Sequence, residues 1–91
     1  MASREQVKRE QPVTFKLLAA KSKARVDALL HAITIAQLST ELDRAAMRNV
    51  LTAELETYLY HQARADGDEH QTAMSKSRQG RKQVDALAGW A

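Results

Sequence analysis

The chain contains no cysteine, so disulfide frameworks, thiolate metal sites and cysteine nucleophiles are excluded from the outset. That absence fits a reducing compartment. Glycine occurs only at positions 67, 80 and 89, too scattered to build a phosphate-cradling loop, and the single proline is Pro12. Aromatic residues make up 4% of the 91 positions, namely Phe15, Tyr58, Tyr60 and Trp90. Apolar residues reach 44%, but much of that is alanine, which buries little area. A chain this short and this poor in large side chains gains from self-association. No apolar run approaches a membrane span, and Met1-Ala2-Ser3-Arg4-Glu5-Gln6 lacks the apolar stretch of a secretory signal. A soluble, cytoplasmic protein is the expectation.

The lack of glycine and proline between Val13 and Asp66 leaves that stretch free to be helical throughout. Periodicity predicts two long helices over 15–38 and 42–65, with Thr14 capping the first and a break at Ser39-Thr40. A turn this short makes the two helices antiparallel neighbours. One unbroken rod over the same residues is the competing reading, and the hairpin is preferred. On the first helix Phe15, Leu18, Ala19, Ser22, Val26, Leu29, Leu30, Ile33 and Ala36 share one face. The opposite face carries Leu17, Ala20, Ala24, Ala28, Ile35 and Leu38, and its alanine row would let a neighbour approach closely. The second helix repeats the arrangement, with Met47, Leu51, Leu55, Tyr58 and Leu59 on one side and Leu42, Ala46, Ala53 and Tyr60 on the other. Leu29, Ile33, Met47, Leu51 and Leu55 are expected to form the inner seam. Gly67 should end the second helix in a left-handed turn.

Flanking this core over 14–66, residues 1–13 read as a flexible basic arm in which Pro12 ends any short helix begun at Ser3. Residues 67–91 read as a basic segment with weak helix, capped at Asp68 and hinged at Gly80. Charge is segregated in the same way. Residues 1–38 carry seven Lys/Arg against three Asp/Glu, 39–70 three against seven, and 71–91 four against one. Opposite signs on the two long helices favour their antiparallel packing.

Two groups stand out as candidate sites. Lys76, Arg78, Arg81 and Lys82, with Ser75, Ser77 and Gln79 between them, suit phosphate contact on DNA or RNA. No aromatic residue is interleaved to stack bases, and a solvated tail is the plainer reading. Val84, Leu87 and Trp90 follow a helical spacing that suits docking into a partner's groove, or folding back onto the hairpin or a second subunit. No metal site is expected of His31, His61 and His70, because Glu54 and His61 lie two turns apart in an exposed polar strip. No nucleophile motif occurs, and Tyr58 and Tyr60 face opposite ways, so neither an enzyme nor a cofactor is expected. The expected fold is all-α, an antiparallel hairpin plus a short C-terminal helix completed into a bundle by homo-oligomerisation, a dimer being favoured. Its expected role is binding a larger protein as adaptor, chaperone or regulator, with nucleic-acid binding through arm and tail as the alternative.

Overall fold

Two antiparallel helices and a broken third one make up the chain in the computed structural model, which describes residues 4–38 and 40–90, with side chains from residue 13. They are α1 (Arg4–Ala36), α2 (Glu41–Ala65), α3 (His70–Ser77) and α4 (Gly80–Ala88), and no strand occurs among the described residues. The 33 residues of α1 set the 54 Å length of the molecule. After the hairpin, α3 and α4 run back along α2 as one strut in two pieces, α4 also reaching α1.

The first helix begins earlier than the expected cap at Thr14, and the arm read over 1–13 is helical backbone from Arg4 onward. Pro12 lies inside the helix instead of ending a separate one. Residues 4–11 are mostly strong helix formers, and they offset the cost of proline inside a helix, about 3 kcal/mol from a lost backbone bond and a ring clash with the carbonyl four residues back. At the other end α1 stops at Ala36, two residues before the expected end. Gln37 takes a left-handed φ of +48° and its N–H bonds the Ile33 carbonyl at 3.2 Å. Glycine is the usual residue at such a position, and none stands here.

Thr40 caps α2, its Oγ1 accepting from the Asp43 N–H at 3.2 Å, while the Arg44 Nε donates to the Leu38 carbonyl at 3.1 Å. Ser39, the first residue of the expected break, lies outside the described residues. At the far end Gly67, with φ +99°, closes α2 as its sequence position suggested. The Gly67 and Asp68 N–H groups reach back to the Arg64 and Ala63 carbonyls, the paired bonds of a Schellman motif. The Asp68 side chain does not cap the third helix. It pairs with Lys76 instead, and Glu69 holds the cap position without a side-chain bond.

The hinge at Gly80 has a packing cause. Gly80 is buried, and a Cβ there would stand 3.3 Å from the Glu56 backbone nitrogen and from Cγ of Glu56 and Leu55. A Cβ at this position would require Leu55, Glu56 or the strut to give by a few tenths of an ångström. The core that results contains Val26, Ile33, Leu51, Leu55 and Val84, with Leu29, Leu30, Met47, Tyr58, Leu59, Ala88 and Trp90 packed around it. Of the expected seam, Ile33, Leu51 and Leu55 are buried, and Leu29 and Met47 are half-buried at its margin.

Candidate binding surfaces

The outward face of α1 is the least expected surface of the molecule on energetic grounds. Ala19, Ser22, Val26 and Ile33 are buried against the hairpin, and directly opposite them Leu17, Ala20, Ala24, Ala28 and Ile35 lie open. Leu17 is 63% and Ile35 68% exposed. Exposed Lys21 and His31 interrupt this apolar strip. A second, shorter strip on α2 comprises Leu42, 82% exposed, with Ala46 and Val50 at four-residue steps. Between the two, Ala28, Leu29 and Val50 line a shallow groove bounded by Arg25 and Glu54, which pair at 3.2 Å.

The C-terminal docking set is divided by the backbone. Gly89 takes a φ of +77°, and the N–H groups of Gly89 and Trp90 return to the carbonyls of Ala86 and Asp85. This second Schellman motif ends α4 before Trp90, so the even helical spacing of Val84, Leu87 and Trp90 does not persist in space. Val84 is fully buried and Trp90 packs on the core, leaving Leu87 alone outward. Arg48 secures this end from α2. Its Nε donates to Asp85 Oδ1 at 2.8 Å, its Nη1 reaches Glu41 at 3.5 Å, and its guanidinium lies 5.5 Å from the Trp90 ring centre.

The basic group is partly neutralised. Lys76 pairs with Asp68, whose hydrogen bond raises the lysine pKa, and Arg81 lies 3.9 Å from Glu56. Arg78 and Lys82 have no ion-pair partner among the described residues, but Glu56 lines the same shallow depression. A carboxylate in the middle of the cluster weakens its attraction for phosphate.

One polar contact escaped the sequence reading. His61, assigned there to an exposed strip, is half-buried, and the buried Ser22 hydroxyl lies 3.0 Å from its Nδ1. Around it Phe15, Tyr60 and His70 form an edge-to-face cluster, Tyr60 bonding His70 at 2.8 Å and Arg64 covering Phe15 at 4.9 Å. Burial pushes the His61 pKa down and the Arg25 charge adds to this, while the Leu18 carbonyl opposes both. A pKa lower in the folded chain than in the unfolded one favours the neutral ring. The resulting stability is complete above the ordinary histidine value of about 6.5 and is lost as pH falls through the folded value. The melting temperature should therefore drop between neutral and mildly acid pH. His61→Gln, which keeps a partner for Ser22, should make that drop shallower; an unchanged pH profile would remove His61 as its source.

No helix among the described residues is long and apolar enough to cross a membrane, and no group of three potential metal ligands occurs among them. No protein-family model, curated protein or solved structure matches this chain.

Proposed function

We propose that this chain is a small, non-catalytic helical module that binds a larger protein as an adaptor, chaperone or regulator, and that completes its bundle by homo-oligomerisation. The observation that carries this reading is the pair of apolar strips left open on α1 and α2 after the core has formed. Surface of this type is costly to leave in water, at roughly 25 cal/mol per Å², and covering it is a source of binding energy. The strip on α2, with anchors at Leu42, Ala46 and Val50, has the spacing by which one helix seats against another protein. The pairing of Lys76 with Asp68 and of Arg81 with Glu56, which neutralises part of the basic segment, favours this reading over nucleic-acid binding.

The test is reconstitution with a partner first identified by co-purification. Light scattering on the purified components should show a stoichiometric complex that Leu42→Lys with Val50→Lys abolishes, with helicity unchanged. A complex that is instead nucleic acid, steeply weakened by salt, and lost when Lys76, Arg78, Arg81 and Lys82 become glutamine would overturn the proposal.

A further inference from the structure

The open side of α1 is basic as well as apolar. From Val13 to its end the helix carries Lys16, Lys21, Lys23 and Arg25 against Asp27 alone. All five are exposed, and of the four cations only Arg25, bound to Glu54, has an ion pair among the described residues. At about 100° per residue Leu17 and Ile35 point the same way, with Ala24 and Ala28 within about 20° of them. On the same wheel Lys16 and Lys23 stand about 100–120° to one side, and Lys21 and Arg25 about 40–80° to the other. Cations therefore border the strip along both edges. We propose that this face of α1 lies flat on an anionic phospholipid bilayer, with the strip at headgroup depth and the lysines among the phosphates. Such a contact goes beyond the function proposed above. It gives the α1 strip a ligand of its own and leaves Leu42 and Val50 of α2 to the protein partner.

Charge and shape both select this occupant. Each lysine held at an anionic surface raises affinity roughly fivefold, and Asp27 on the Lys23 edge offsets only one of the three unpaired ones. A second copy of the chain would bring like charges together at this face. Nucleic acid would meet the cations but leave Val13, Leu17 and Ile35, which are 61%, 63% and 68% exposed, without an apolar partner. Protein interfaces are anchored by large side chains near their centre. Here the large residues stand at the ends of a strip about 27 Å long, and alanines fill its middle. A bilayer needs no fitted pocket, because lipid closes around a low ridge that sinks only about 5–10 Å. Lys21, which interrupts the strip, can lay its long stem along the apolar surface and hold its ammonium among the headgroups. His31, with an apolar ring body and a polar tip, suits the same depth. No described helix is long and apolar enough to cross a bilayer, and the contact proposed is with one leaflet.

The test is flotation of the full chain with vesicles of phosphatidylcholine alone and of phosphatidylcholine mixed with phosphatidylglycerol. The wild-type chain should float with the mixed vesicles and not with the others, and high salt should release it. Lys16→Gln, Lys21→Gln and Lys23→Gln together should weaken that binding roughly a hundredfold. Helical ellipticity should stay unchanged, since glutamine is also a good helix former. Leu17→Gln with Ile35→Gln leaves the charge alone and should weaken binding at least about tenfold. Glutamine at Lys76, Arg78, Arg81 and Lys82 should change it far less. A chain that does not bind the phosphatidylglycerol vesicles would overturn the inference. So would binding that follows the four tail residues and ignores the three lysines, or that is undiminished by Leu17→Gln with Ile35→Gln. If the lysine set instead weakens capture of the protein partner in the absence of lipid, the face belongs to that partner and the bilayer contact is wrong. Capture through Leu42 and Val50 without vesicle binding would leave the protein-binding reading intact, so the two failures are separable.

Discussion

Leu51→Ala should lower the melting temperature by at least about 10 °C, the largest single loss expected from removing side-chain bulk in this molecule. Leu51 is fully buried, at the middle of α2, where α1 packs on one side and α4 on the other. Its truncation removes the transfer energy of the lost carbons and leaves a cavity that three converging helices cannot easily close. Substitutions of that kind cost about 2–5 kcal/mol. Set against a usual domain stability of about 5–15 kcal/mol, the change is large enough to be seen without ambiguity. The measurement is helical ellipticity against temperature, at one fixed protein concentration because association stabilises. Leu42→Ala on the same helix is the control: Leu42 faces outward, and its loss should change stability by no more than about 0.5 kcal/mol. Equal melting curves for Leu51→Ala and the wild type would mean that the core lies on another face of α2.

Leu51 was legible in the sequence because a helical wheel needs only local information. The face holding Met47, Leu51, Leu55 and Leu59 follows from spacing, and so does the opposed face of α1 with its alanines. Gly67 was legible for a similar reason, since a lone glycine after a helical run marks a left-handed end. What could not be read depends on register between helices. Ser22 stands on an apolar face and His61 on a polar strip; only the alignment of α1 with α2 brings them together. The same limit hid the Arg48–Asp85 bond, whose members are separated by 37 positions. Gly89 is a different case. A glycine followed by one large apolar residue is a helix-end signal, and it competes with the helical spacing of Val84, Leu87 and Trp90. Gln37 carried no signal, because glutamine has no preference for the left-handed region it occupies.

The open strips and the buried tail have one explanation in common. A chain with few large side chains and much alanine cannot cover both sides of two long helices from its own last third. The α3–α4 strut is short, and it covers α2 on one side with Val84 and Trp90 as its principal anchors at the α4 end. The outer face of α1 and the Leu42, Ala46 and Val50 strip of α2 are what remain. The tail therefore fixes which apolar surface is left over.

That dependence makes Val84→Asp the second large effect, and one that should differ in kind from Leu51→Ala. Val84 has no exposure, so aspartate there must either carry an unpaired charge into the core or move α4 away from α2. The first course costs more than the whole contribution of Val84, which is about 1.5–3 kcal/mol for a side chain of this class. Undocking is therefore cheaper, and the loss is limited to what held α4 in place. Residues after the hinge at Gly80 should come free while the α1–α2 hairpin remains, a local opening and not a global one. Trp90 is the only tryptophan and packs on the core, so it reports the event directly. In Val84→Asp its emission should shift to the red at temperatures where most helical ellipticity persists, and limited proteolysis should cut first within 80–90. In Leu51→Ala, by contrast, Trp90 should stay blue-shifted until the hairpin itself melts. The undocked variant should also expose part of the core cluster that Val84 completes and bind apolar dyes more strongly. Unchanged Trp90 emission and protease resistance in Val84→Asp would mean that α4 does not rest on the core in solution, and the surface left for partners would then have to be redrawn to include Val84, Leu87 and Trp90.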